Sequence, residues 1–208
     1  MKRTFLALAI SLIHIVSYSQ IKALTENGKE VLLYNNGTWK YSEKDADISK
    51  DKQDTIVCNK PENASFSISG EKIKYKQWFD PKKWNIKKET GTPRDYMFTL
   101  KDGDAYVMVI AEGVQIPLES MKDVVLANAQ KNAPDCKIVK EEIRIVNGKT
   151  LKCIQMEGSL KGIYFVYLGY YYSDSKGTVQ LISFTGRNLF SKYKSEMERF
   201  LNGFSGIE

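Results

Sequence analysis

Histidine occurs once in this 208-residue chain, at His14, and the side chains that could do chemistry without it are few. His14 lies in the opening segment MKRTFLALAISLIHIVSYSQ, where Lys2 and Arg3 precede an apolar run from Phe5 to Val16 and small residues stand at Ser17 and Ser19. That pattern predicts a secretory signal peptide cut near Ser19/Gln20. The mature chain then lacks imidazole, which excludes Ser–His–Asp and Cys–His catalysis and histidine-ligated metal sites. Without histidine, a Cys153 nucleophile would need a lysine or a helix dipole to lower its pKa. Asp102-Gly103-Asp104 is too short for an EF-hand type calcium loop and reads as a solvated hairpin turn. Glu141-Glu142 and Glu196/Glu198 send one carboxylate of each pair to another face, which suits no acid–base dyad. The segment 158–162 (GSLKG) lacks the spacing of a phosphate-cradling loop. The expectation is a protein that is not an enzyme, with no cofactor and no metal.

Aromatic residues remain as binding candidates. The stretch GIYFVYLGYYYSDSKGTVQLISF, residues 162–184, packs five tyrosines into nine positions. Strand alternation turns Phe165, Tyr167 and Tyr171 one way and Tyr164, Val166, Leu168, Tyr170 and Tyr172 the other. Both faces are apolar, which predicts a central strand covered on both sides. Burying one ring is worth roughly 4–6 kcal/mol at ~25 cal/mol per Å². An unpaired hydroxyl costs about 1–3 kcal/mol, so the rings favour a core. If some line a pocket instead, Tyr170 and Tyr172, near the 173–177 loop, are the candidates. A helix crossing is expected over Gly169. Trp78, Phe79 and Trp84, in WFDPKKW, read either as a hydrophobic corner at a sheet edge or as a docking surface helped by nearby lysines.

Composition narrows the setting. Cleavage would take the net charge from +6 to +4, a mild balance. Lys72, Lys74, Lys76, Lys82, Lys83, Lys87 and Lys88 crowd together. They suit a solvated strand edge better than nucleic acid, which an exported protein rarely meets. The leader is shorter than the roughly 18 apolar residues a membrane span needs. No span is expected, and the predicted location is periplasmic or extracellular. Cys58, Cys136 and Cys153 form an odd set. A two-residue turn at Asn147-Gly148 puts Cys153 opposite Glu142, ~20 Å along the strand from Cys136. Any bridge would therefore involve Cys58, with full reduction the alternative.

Four segments are expected. Residues 1–19 are the signal peptide. Residues 20–41, with Asn27-Gly28 and Asn36-Gly37, form a small β-meander. Residues 42–62 are a charged linker, and residues 63–208 are the main domain. In that domain strands are expected at 65–69, 72–76, 95–100 and 105–112. A helix follows at 117–132, then a hairpin on Asn147-Gly148 and the aromatic hairpin. A last helix spans 188–202 with Gly203 as its C-terminal cap. The order predicts an α+β fold, a mostly antiparallel sheet with helices packed on both faces.

The residues 79–84 (FDPKKW), Val146-Asn147-Gly148, the long aromatic strand, Leu189-Phe190 and the closing FLNGF at 200–204 resemble the PsbP-like/DcrB-like superfamily over about residues 65–204. The N-terminal element resembles a short β motif of exported Bacteroidetes proteins. The superfamily resemblance implies an α/β/α sandwich and an accessory role without a shared catalytic residue. The expected function is an exported, non-catalytic accessory or binding protein of the bacterial envelope, its partner a protein or an apolar ligand. One alternative is a carrier of a lipid or other apolar molecule, marked by an enclosed cavity lined by residues 164–172. The other is a carboxylate-based hydrolase, marked by acids converging in a cleft.

Overall fold

A computed structural model describes residues 21–24, 30–34, 39–41 and 55–208. The predicted signal peptide, the two N-terminal Asn-Gly turns and residues 42–54 of the expected linker lie outside the described residues. The chain divides into two compact units, Met1–Lys52 and Gln53–Glu208. The first contains β1 (Ile21–Leu24), β2 (Glu30–Leu33) and β3 (Trp39–Tyr41), an antiparallel meander in that order.

The second unit is built on an eight-stranded mixed sheet. Its strands are β4 (Ile56–Cys58), β7 (Trp84–Lys88), β8 (Arg94–Leu100), β9 (Ala105–Glu112), β10 (Lys137–Val146), β11 (Lys149–Leu160), β12 (Ile163–Asp174) and β13 (Gly177–Gly186). They lie in the order β4-β10-β11-β12-β13-β9-β8-β7. A smaller sheet runs β14-β6-β5, from β14 (Phe204–Ile207), β6 (Tyr75–Phe79) and β5 (Phe66–Ile68). Two helices complete the unit, α1 (Leu118–Gln130) and α2 (Phe190–Leu201). The class is α+β.

The Asn147-Gly148 turn, with φ of 49° and 76°, closes the β10–β11 hairpin. Its register sets Glu142 opposite Cys153, as the turn length predicts. The three cysteines are free. Strand β12 is fourth of eight, the interior place its two apolar faces require.

Alternation along β12 feeds two separate cores. Leu168 and Tyr170 join Leu181, Cys153 and Phe98, together with Tyr193, Met197 and Phe200 of α2 and Tyr75, Phe79 and Phe204 of the small sheet. Tyr171 joins Ile154, Met156 and Ile182 with Met121 and Val125 of α1, and Tyr167 packs against the same cluster. Gly169 is explained by this packing and by no crossing helix. A Cβ there would lie about 2.5 Å from the ring of Tyr171, two residues on along the same face. The ring thus fills the space a side chain would need. Tyr171 is fully buried and its hydroxyl has no partner, so burial pushes its pKa up. Tyr171→Phe removes an unpaired polar atom and keeps the ring. It is expected to leave stability unchanged or raise it by up to about 1 kcal/mol, measured by denaturant unfolding.

Four features depart from the sequence reading. The second unit begins before Asn63, because Ile56–Cys58 pairs in parallel with β10, a long-range contact that local composition does not signal. The strand expected at 72–76 lies at Tyr75–Phe79, so Trp78 and Phe79 are strand residues. The lysine-rich WNIKK is strand β7, paired with β8 along its whole length and exposed after Trp84. It forms one edge of the sheet, where Lys87 and Lys88 discourage further pairing. Finally, Gly203 does not adopt the positive φ of a helix cap. It is needed because a Cβ would come within 1.9 Å of the Trp78 carbonyl oxygen.

Candidate functional site

The aromatic candidates separate by burial. Phe79, Trp84 and Tyr170 lie in the core. The rings of Phe79 and Trp84 meet at Phe200, with centroids 6.1 and 5.0 Å away. Trp78 and Tyr172 are half-buried. The Trp78 ring carries Lys60 Nζ 5.1 Å from its centre. Tyr172 packs on Phe204 at 5.3 Å and its hydroxyl donates to Asp174 Oδ2 at 3.0 Å.

Carboxylates do converge in one place, around Tyr170. Lys140, Glu142 and Arg144 recur at alternate positions of β10. Arg144 donates from Nε to Glu142 Oε1 at 2.7 Å, from Nη2 to the same oxygen and to Glu198 Oε1 at 3.0 Å, and from Nη1 to the Tyr170 hydroxyl. That hydroxyl donates in turn to Asn202 Oδ1 at 3.0 Å, and Lys140 Nζ lies 2.6 Å from Glu142 Oε2. Lys140 and Arg144 therefore face Glu142 and Glu198, and Lys194 also lines the hollow. Burial works to raise the Glu142 pKa, but hydrogen bonds from Lys140 and Arg144 outweigh it and hold the carboxyl below its ordinary value. Beside them, burial pushes the Cys153 thiol up to about 12, more than Arg144 lowers it, so it is not a thiolate near neutral pH. The hollow at this cluster is about 10 Å³, room for about one water. A satisfied, neutralised network of this kind is built to hold β10, β12 and α2 in register.

The larger cavity is elsewhere. On the face that carries Tyr167 and Ile182, α1 is the covering helix among the described residues. A helix is ~10–12 Å across, whereas eight strands at ~4.8 Å spacing form a much wider surface. A groove of about 630 Å³ results, between a wall made by Val125 and Ala129 of α1 with Asn132 just beyond it and the opposite wall at Pro93 and Arg94. Its floor comes from β9 and β13, with Met108, Ile110, Gln180, Ile182 and Phe184, and Tyr167 and Leu160 close it on the side of β11 and β12. Tyr106 stacks on Phe184 at 5.3 Å, and Tyr167 lies 5.9 Å from the same ring. The volume and the apolar lining fall in the range of small-molecule sites. Of the tyrosines at 164–172, Tyr167 lines this groove and Tyr170 does not. Sequence reasoning missed the rest.

No family model and no curated protein match the chain. The solution structure of cyanobacterial PsbP (CyanoP) from Synechocystis sp. PCC 6803 aligns with 67% of this chain and 90% of its own, with a TM-score of 0.51 at 13% identity. The fold is PsbP-like. A Pseudomonas aeruginosa protein of unknown function, PA94, aligns with 61% of this chain and 88% of its own at 12% identity and a TM-score of 0.43. A Bacteroides thetaiotaomicron VPI-5482 crystal structure covers 64% of this chain and 44% of its own, with 12% identity and a TM-score of 0.38. At such identities the PsbP-like label describes the fold and carries no residue roles. Among the described residues, no group of acids, cysteines or histidines could hold a metal, and no helix is long and apolar enough to cross a membrane.

Proposed function

We propose that the protein is an exported, non-catalytic binding protein of the bacterial cell envelope that holds a small, mainly apolar ligand in the groove beside α1. Export rests on the leader pattern of residues 1–19. In this reading α1 and α2 cover opposite faces of the sheet, because their core partners alternate along β12: Tyr171 with α1, Leu168 and Tyr170 with α2. The single observation that carries the function is the open groove of about 630 Å³ floored by Met108, Ile110, Ile182 and Phe184. An apolar concavity left on a folded surface marks a binding site more often than a packing defect. The hydrolase alternative draws less support, since the clustered acids are paired with Arg144 and Lys140 around a space for one water.

The test is titration with the neutral, environment-sensitive dye Nile red. Saturable binding with a blue-shifted emission is expected. Met108→Glu places a charge on the groove floor at a half-buried position, so it should abolish the signal; a cooperative urea transition checks that the variant is still folded. Unchanged binding by that variant, or no binding by the parent, overturns the proposal.

A further inference from the structure

We infer that the groove takes an uncharged amphiphile, its apolar body on Ile182, Met108 and Phe184 and its hydroxyl, ester or amide head on Gln180; this rests on the ligand-binding reading above. Strand register sorts the floor into rows. Gln180 pairs with Ile110, and Ile110 with Arg94. The next row on the same face is Ile182, Met108 and Met97, and the one after it begins with Phe184 and Tyr106. At ~3.4 Å per residue, the polar row stands ~13 Å from the aromatic row. The floor is therefore polar at one end and apolar for the rest of its length.

Gln180 is the telling residue. It is only 7% exposed, it lines the groove, and its amide makes no side-chain hydrogen bond among the described residues. An apolar ligand would strip water from that amide without replacing it, at a cost of about 1–3 kcal/mol. A ligand with a hydrogen-bonding head removes the cost. The head is uncharged because no cation at this end stands unopposed. Arg94 and Glu112 line the same end with opposite charge. Arg94 Nε lies at ion-pair distance, 2.8 Å, from Glu89 Oε2, and Lys87 also faces Glu89 at 3.6 Å. A carboxylate or phosphate head would have to displace that pairing or face Glu112.

The experiment is displacement of bound Nile red at pH 7 by a long-chain alcohol, the 1-monoacylglycerol and the fatty carboxylate of the same chain length. The alcohol and the monoacylglycerol are expected to displace dye at about tenfold lower concentration than the carboxylate. Gln180→Leu should weaken both by about tenfold, or about 1.4 kcal/mol, after correction for the variant's own dye affinity, and should leave the carboxylate unaffected. Equal displacement by alcohol and carboxylate, or no loss in Gln180→Leu, overturns the head-group assignment while leaving the carrier reading intact. A parent protein that binds neither dye nor amphiphile overturns both.

Discussion

Arg144→Ala is expected to lower the unfolding free energy by about 3–5 kcal/mol at neutral pH, because it leaves buried carboxylate without its main partner. Arg144 is 6% exposed and reaches Glu142, Glu198 and the Tyr170 hydroxyl at once. Its loss strands Glu142 with Lys140 alone and removes the link between β10, β12 and α2. Most of the penalty is the desolvation of what remains, which yields a second expectation. Arg144→Met combined with Glu142→Leu should recover much of the loss, since apolar residues of similar volume often replace buried ion pairs at little cost.

Acidification supplies a further signature of the same network. The folded Glu142 carboxyl lies below its ordinary value of ~4.3. Its pairing therefore contributes stability above the unfolded pKa and loses it as pH falls through the depressed folded one. The parent protein has the Arg144 share of that contribution to lose and Arg144→Ala keeps only the share from Lys140, so the gap between the two should narrow as pH drops below about 4.3. Denaturant melts of both proteins at pH 7 and at acid pH measure this. A loss under about 1 kcal/mol at pH 7, or a pH-independent gap, would show the network to be solvated instead.

How much of this could be read from residues alone depended on how local the physics was. The β10–β11 register follows from two residues, Asn147 and Gly148, because a two-residue loop fixes every pair up to Glu142 and Cys153. The buried face of α2 follows from its period, with Tyr193, Met197, Phe200 and Leu201 inward. Strands whose reason lies at a distance were illegible. Strand β7 is legible only as a lysine-rich strand edge without bounds, since beyond Trp84 it is exposed and its order comes from pairing with β8. Strand β14 is four residues that pair across to β6.

The groove was illegible for another reason. Met108, Ile182 and Phe184 look like ordinary core residues in a strand pattern. What opens them is a shortfall of cover, and cover depends on how one helix lies over a wide sheet. The Arg144 network did leave a trace, in Lys140, Glu142 and Arg144 at alternate positions of a strand that ends in Ile145-Val146. Period-2 charge that shares a face with Val146, a residue of the core, indicates an internal ion cluster, but Glu198 comes from α2 and only the fold brings it there.

Gly203→Ala is the second substitution expected to have a large effect, a loss of more than about 3 kcal/mol, and its cause is steric. A Cβ at residue 203 would stand 1.9 Å from the Trp78 carbonyl oxygen and 2.8 Å from both the carbonyl carbon and Gln77 Nε2. Backbone cannot rotate away as a side chain can, so the chain leaving α2 must move off β6. That movement breaks several bonds together. Trp78 N–H donates to the Gly203 carbonyl at 2.9 Å. The buried Gln77 amide donates to the carbonyls of Phe200 and Trp78 at 2.7 and 2.8 Å. The Asn147 amide donates to those of Asn202 and Phe204. Overpacking alone typically costs 1–3 kcal/mol, and stranding buried donors such as Gln77 adds to it. Gly113→Ala is the matched control, with φ outside the left-handed range and its nearest neighbour 3.9 Å away. It should change stability by less than about 0.5 kcal/mol. Equal midpoints for the two variants in urea would mean that β6 and α2 are not locked through this contact. A large loss confined to Gly203→Ala would show that the close approach of residue 203 to β6 supports the fold.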